Sequence, residues 1–230
     1  NPDFPEAHNN LGITLNELGK LKEAELSTRK AIELKPNYIE AYCNLGNIFF
    51  DLGELEKAEL YTSKAIKIDP NYETAYSNLG NIYFNLGKIQ EAEVAFRRAI
   101  EIKPDFAKAH SNLGNLLSDL DKLKEAEASQ RKAIELNPSF AEAYSNLGLI
   151  LGYLGKLKEA EESHRKAIEL KPDLAEAHHN LANLLLKQMK FKEGWEKNEW
   201  RWKVKNKRLN IGDKLVSTKP EWTPDNKGRV

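Results

Sequence analysis

The stretch A-Y-S-N-L-G-N at residues 75–81 decides the fold, because near-copies of it recur along the chain. The other copies begin at residues 7, 41, 109, 143 and 177. Glycines 12, 46, 80, 114 and 148 follow one another at intervals of 34 residues. A fixed period of this size is typical of a protein built from stacked repeats.

Residues 73–106 predict one helical hairpin. Apolar residues at helical spacing mark a first helix with Ala75, Leu79, Ile82, Tyr83 and Leu86, and a second with Ile89, Ala92, Phe96, Ala99 and Ile100. Gly87 supplies the left-handed backbone that ends the first helix. Pro104 ends the second, because proline has no amide hydrogen and restricts the residue before it.

Small residues at fixed positions predict how the two helices of a hairpin pack. Gly80 and Ala92 have equivalents in four other repeats, and a mid-helix glycine costs about 1 kcal/mol relative to alanine. We therefore expect a close approach of the two helix backbones there. The position of Phe96 holds other residues elsewhere, which predicts looser packing at Thr28, Thr62, Gln130 and His164. Asp121 replaces a turn glycine, and aspartate tolerates a left-handed backbone better than most residues.

These positions resemble those of the tetratricopeptide repeat family. Its pattern is matched by Tyr76, Leu79, Gly80, Tyr83, Ala92, Phe96, Ala99 and Pro104. The resemblance implies an all-α, right-handed α-solenoid whose first helices line the concave side. It divides the chain into the end of a preceding repeat (1–4), five repeats of 34 residues (5–172), a sixth, capping repeat (173–205) and a C-terminal linker (206–230). We expect the chain to begin inside a longer array.

Asparagine recurs on one face of the first helices. The candidate peptide-binding residues are Asn10, Asn44, Asn47, Asn78, Asn81, Asn112, Asn115, Asn146 and Asn180. Asparagine is a mediocre helix former, and its carboxamide both donates and accepts hydrogen bonds, as a peptide bond does. The row therefore predicts a binding surface for the backbone of an extended protein segment. The alternative is that neighbouring amides only satisfy one another within the array.

Further features of the sequence indicate which kind of protein segment the asparagine row would bind. The N-L-G-N runs resemble the repeats of O-linked N-acetylglucosamine transferases, in which such an asparagine ladder holds acceptor polypeptides. A carboxylate clamp for chaperone tails is disfavoured, because the positions four residues before the ladder are mostly acidic and Lys108 is the only basic one. Phe50, Phe84 and Tyr153 lie near the row and fit either pockets for a peptide or contacts between repeats.

The C-terminal end is basic and holds all four tryptophans. Trp202 replaces a core isoleucine, whereas Trp195 and Trp200 occupy positions that are charged elsewhere and should lie on the outer side. The stretch at 193–202 and residues 219–222 resemble the junction where repeats of this family run into a bacterial glycosyltransferase domain. We expect Trp195 and Trp200 to cap the array or contact such a following domain. The alternatives are a nucleic-acid patch, which the sequence disfavours, and a membrane surface.

No motif for catalysis, a cofactor or a metal is present in the sequence. Cys43 is the only cysteine and is interpreted as a small filler. His8, His110 and His178 share a position with tyrosines and are interpreted as packing residues. No apolar run is long enough to span a bilayer, and we expect a cytoplasmic, bacterial protein. The sequence thus predicts a non-enzymatic scaffold that binds proteins, or alternatively the acceptor-docking region of a bacterial glycosyltransferase.

Overall fold

The computed structural model describes residues 4–200, which form twelve α-helices and no strand. The helices are α1 Pro5–Glu17, α2 Leu21–Leu34, α3 Ile39–Asp51, α4 Leu55–Ile68, α5 Glu73–Asn85, α6 Ile89–Ile102, α7 Ala107–Asp119, α8 Leu123–Leu136, α9 Ala141–Tyr153, α10 Leu157–Leu170, α11 Ala175–Lys187 and α12 Phe191–Asn198. Ten of them lie within the predicted range 5–172. Residues 1–3, the predicted core residue Trp202 and the predicted linker 206–230 lie outside the described residues.

Each hairpin turns at one residue with a left-handed backbone. Glycine takes this conformation in four hairpins. At Gly87, where φ is 76°, the N–H of Lys88 donates to the carbonyl oxygen of Tyr83 at 2.9 Å and closes the end of α5. Asp121 has a φ of 59°, which confirms the prediction from its position, and Met189 has a φ of 60° in the sixth hairpin. The turns therefore depend on backbone shape more than on side-chain chemistry.

The hairpins stack into two rows of helices. The inner row consists of α1, α3, α5, α7, α9 and α11, and the outer row of the six even-numbered helices. The backbones of neighbouring inner-row helices approach one another from repeat to repeat, whereas the backbones of the outer-row helices approach only the inner row. Because the inner helices are closer together, the stack curves towards them. The predicted all-α solenoid is confirmed.

The inner-row glycines make room for a side chain 16 residues later in the sequence. A methyl group on Gly80 would lie 2.5 Å from the ring of Phe96. On Gly12 it would lie 3.3 Å from the carbonyl oxygen of Ala24, so the expected close approach is present as well. The side chains that lie against these glycines are at most 2% exposed; they are Thr28, Thr62, Phe96, Gln130 and His164. This position is therefore buried in all five repeats, and the looser packing expected there stays a prediction.

Replacing Gly80 with alanine should destabilise the array, although alanine is the better helix former. The new methyl group forces a shift of the buried Phe96 ring, and overpacking of this kind costs about 1–3 kcal/mol. The matched control is Gly152→Ala, because a methyl group on Gly152 meets nothing within 4 Å. There alanine should raise the free energy of unfolding by up to about 1 kcal/mol. Urea denaturation followed by circular dichroism measures both changes, and equal effects at the two sites would contradict the steric explanation.

Ion pairs connect the outer-row helices of neighbouring repeats. Lys88 pairs with Glu59 at 2.9 Å, and the equivalent Lys156 pairs with Glu127 at 2.8 Å. The pairing with Lys156 lowers the pKa of Glu127. Exposed pairs of this kind each contribute at most about 1 kcal/mol, so the apolar contacts between rows remain the main source of stability.

Candidate functional site

All nine predicted contact residues lie on inner-row helices, but the structure brings only four of them into one pocket. This pocket has a volume of about 350 Å³ and lies between α1, α3 and α5. It is lined by Asn9, Asn10, Ile13, Tyr38, Glu40, Cys43, Asn44, Asn47, Tyr72, Thr74 and Asn78. The predicted residues outside this pocket are Asn81, Asn112, Asn115, Asn146 and Asn180.

The ladder asparagines are the equivalent residues Asn10, Asn44, Asn78, Asn112, Asn146 and Asn180. Two of them make hydrogen bonds to the preceding repeat. The Nδ2 atom of Asn44 donates to Oδ1 of Asn9 at 2.8 Å, and Nδ2 of Asn112 donates to Oγ of Ser77 at 3.2 Å. In both pairs the acceptor lies 35 residues earlier, directly before the ladder asparagine of the previous repeat. The alternative that the amides stabilise the stack therefore applies to these two side chains.

Asn78 lacks the equivalent hydrogen bond. The position 35 residues before it is Cys43, whose thiol is a weak acceptor. Burial raises the pKa of the Cys43 thiol to about 12, so it stays protonated at neutral pH. Asn78 is only 5% exposed, and its Nδ2 atom has no hydrogen-bond partner. A buried donor without a partner costs about 1–3 kcal/mol, and this makes Asn78 an exception that needs a physical reason.

A second asparagine row lies three residues after the first, at Asn47, Asn81 and Asn115, and is only partly available for a ligand. The Oδ1 atom of Asn115 accepts a hydrogen bond from Nε2 of Gln130 at 2.7 Å, which ties it to α8 in its own repeat. Asn47 is half-buried in the pocket wall. The predicted site did not include the other seven pocket residues, which are Asn9, Ile13, Tyr38, Glu40, Cys43, Tyr72 and Thr74. The 35-residue offset between facing positions of neighbouring repeats is the signal that finds Asn9.

The aromatic residues near the row divide between core and surface. Phe50 and Phe84 are half-buried and pack against core clusters, which supports the contact between repeats that the sequence left open. Tyr153 is 61% exposed. A peptide contact at Tyr153 therefore stays a prediction.

At the C-terminal end, Trp195 and Trp200 differ from each other. Trp195 is 57% exposed, as its position predicts. Trp200 is half-buried and stacks on His178, with ring centroids 4.0 Å apart and planes at 6°. The expectation that Trp200 lies on the outer side is wrong, because the chain after α12 brings the indole against α11. The basic residues 201–208 lie outside the described residues.

His110 and His178 lie against the turn that precedes their own helix. Nε2 of His110 lies 2.9 Å from the carbonyl oxygen of Pro104, and His178 makes the same contact with Pro172. Within residues 4–200 no group of three or more histidine, cysteine or acidic side chains is arranged to hold a metal ion. None of the twelve helices combines the length and apolar composition that a bilayer crossing requires.

Comparison with known proteins gives matches to repeat families and to solved repeat structures. Profiles described as "Tetratricopeptide repeat" or "TPR repeat" match residues 14–53, 39–72, 74–106, 95–128, 114–155 and 141–174. No curated protein sequence matches the chain at a significant level. The likeness to O-linked N-acetylglucosamine transferase repeats stays a prediction.

Three solved structures resemble this fold at 25–28% identity. A thermophilic TPR protein of Thermus thermophilus, TTC0263, is 25% identical with a TM-score of 0.72, over 80% of this chain and 100% of that protein. YrrB, described as a TPR protein with an unusual peptide-binding site, is 28% identical with a TM-score of 0.54, over 75% and 89%. MamA is 27% identical with a TM-score of 0.56, over 71% and 96%. The chain belongs to the tetratricopeptide repeat family.

Proposed function

We propose that this chain is a protein-interaction scaffold that binds an extended protein segment along the inner row, with the pocket at Asn78 as its main anchor. The observation that carries the proposal is the buried Nδ2 donor of Asn78, which has no partner within the protein. A backbone carbonyl of a bound segment would supply the missing acceptor. Binding would then relieve a cost that the free protein bears.

The spacing of the inner helices supports an extended ligand. Packed helices lie about 8–10 Å apart, which is close to three residues of extended chain at about 3.3 Å each. The asparagines of successive repeats would therefore meet equivalent atoms of the ligand backbone. Because carboxamides contact the backbone, recognition would depend little on side chains away from the pocket.

The family supports a scaffold without catalysis of its own. YrrB shows that a related TPR protein has a peptide-binding site. The proposal places such a site on this chain at Asn10, Asn44, Asn47 and Asn78, with Asn81, Asn112, Asn115, Asn146 and Asn180 as lesser contacts along the row. The scaffold needs no cofactor for this role. A cytoplasmic, bacterial location stays a prediction.

The variants Asn78→Ala and Asn44→Ala should differ in their effect on stability. Asn78→Ala removes the cost of an unpartnered donor but also the packing of the buried carboxamide, so the free energy of unfolding should change little, while peptide affinity should fall about tenfold. Asn44→Ala breaks the hydrogen bond to Asn9 and should cost about 1 kcal/mol of stability. The affinities are measured by fluorescence anisotropy with peptides selected on the wild-type protein from a phage-displayed library of decapeptides.

Cys43→Ser tests the same donor by adding an acceptor for it instead of removing the asparagine. Serine would give Asn78 the acceptor that Ser77 gives Asn112, so peptide affinity should fall although every asparagine is intact. Leu26→Ala is the control, because Leu26 is 71% exposed on the outer-row helix α2. Unchanged affinity in both Asn78→Ala and Cys43→Ser, or a library that yields no binding peptide, would refute the proposal.

The second candidate function is the acceptor-docking region of a bacterial glycosyltransferase. The exposed ring of Trp195 favours it, since a large apolar side chain at the end of an array is suited to contact a following domain. Under this proposal the inner row would hold the acceptor polypeptide, and catalysis would lie outside this chain. Sequencing of the parent gene beyond residue 230 decides it: a nucleotide-sugar-binding domain supports the proposal and a stop codon excludes it.

A further inference from the structure

The pocket at Asn78 contains a glutamate that lacks the lysine partner found at its equivalents in two other repeats. Among the eleven lining residues, Glu40 is the only charged one. In two other repeats the equivalent glutamate is neutralised by a lysine at the end of the outer-row helix: Lys35 lies 3.4 Å from Glu6, and Lys171 lies 2.8 Å from Glu142.

In the second repeat the position of that lysine holds Asp69 instead. The Oδ1 atom of Asp69 accepts a hydrogen bond from the backbone N–H of Asn71 at 2.8 Å and offers Glu40 no positive charge. Among residues 4–200, no basic side chain forms an ion pair with Glu40. The pocket wall is therefore more acidic here than the corresponding surface of the first and fifth repeats.

The groups around Glu40 leave its negative charge available to a basic side chain of a ligand. Lys35 lies 4.5 Å from the ring centroid of Tyr38 but is already paired with Glu6. The half-buried ring of Tyr72 forms another wall, and aromatic faces favour the methylene stem and the charged head of a basic side chain. The buried N–H of Asn78 lacks an acceptor, and the exposed carboxylate of Glu40 is available to a cation.

We propose that the pocket selects a lysine or arginine residue of the bound segment. The residue's backbone carbonyl accepts from Asn78, and its side chain pairs with Glu40. The inference rests on the proposed function and adds the chemical class of the anchoring residue. A charge pair at a partly exposed site changes affinity by up to about fivefold, so selection is a preference over neutral and acidic residues.

Two pools of fluorescein-labelled nonapeptides test this preference. Both carry the same random mixture at eight positions, whereas the central residue is lysine or arginine in one pool and aspartate or glutamate in the other. The wild-type protein should retain the basic pool about fivefold more strongly. Asp69→Lys should remove most of that preference, because it restores the ion pair of the first and fifth repeats without altering a pocket residue. Glu40→Gln should do the same.

The control is Glu142→Gln, which removes an already neutralised glutamate outside the pocket and should leave the preference unchanged. Equal retention of the two pools by the wild-type protein would overturn the basic anchor and leave peptide binding intact. An unchanged preference in both Asp69→Lys and Glu40→Gln would also overturn it. If neither pool is retained, the proposed function fails as well, so the two failures can be told apart.

Discussion

Acidification from pH 7 to pH 4 should lower the free energy of unfolding by about 3 kcal/mol through His164 alone. His164 is 2% exposed and lies against Gly148, where a methyl group would be 2.7 Å from its ring. Burial lowers the pKa of His164 from 6.5 to about 4. The folded protein therefore resists protonation of this ring, whereas the unfolded chain accepts the proton readily.

The sign follows from the order of the two pKa values. Above pH 6.5 the ring is neutral in both states, and His164 makes no pH-dependent contribution. Between pH 6.5 and about 4 only the unfolded chain binds the proton, so stability falls as the pH falls. Below about pH 4 both states are protonated and the loss levels off.

His164→Phe is the matched variant, since Phe96 already occupies the equivalent position against Gly80 in the third repeat. Urea denaturation at pH 7 and at about pH 4.5 should show a smaller loss in the variant than in the wild-type protein. Paired carboxylates such as Glu127, whose pKa is also lowered, weaken both proteins in acid, and their effect cancels in the comparison. An equal loss in the two proteins would show that His164 is not buried in its neutral form.

Phe96→Ala should cost about 3–5 kcal/mol, the usual range for removing a buried phenylalanine ring. Phe96 is 2% exposed and packs in one cluster with Leu113, Leu116 and Leu117 of the following repeat. The substitution therefore weakens both the third hairpin and its contact with the fourth. Because stability in a repeat array is shared between neighbours, unfolding should also become less cooperative.

Val94→Ala on the same helix is the control, because Val94 is 67% exposed and its substitution should change stability by less than about 0.5 kcal/mol. Urea denaturation measures the loss, and hydrogen exchange locates it: amides of α6 and α7 should lose more protection than those of α2. A uniform loss of protection along the array would mean that the repeats unfold as one unit.

Local signals are enough to predict the hairpins. Helical periodicity, the glycine at each turn and the proline after the second helix all act within one repeat, so residues 73–106 alone predict α5 and α6. Asp121 is recognised in the same way, because its place in the repeat requires a left-handed backbone and its φ is 59°.

Packing between helices is harder to predict. The sequence predicts that the small residue Gly80 faces another small residue, but its main neighbour is the large ring of Phe96. The same arrangement buries Gln130 and His164, whose polarity suggests looser packing. The position of Trp200 in the repeat predicts the outer side, yet the indole stacks on His178. In each case the contact depends on a residue in another helix, which the local pattern does not specify.

The sequence by itself determined the repeat period, the hairpins and the helix face that carries the asparagines, because each follows from residues within one 34-residue unit. Only the tertiary structure decided which asparagine lacks a partner. Stacking places Asn44 against Asn9 and Asn112 against Ser77, each 35 positions earlier, whereas the position 35 residues before Asn78 holds Cys43. A thiol is a weaker acceptor than an amide or hydroxyl oxygen, and the Nδ2 atom of Asn78 has no partner.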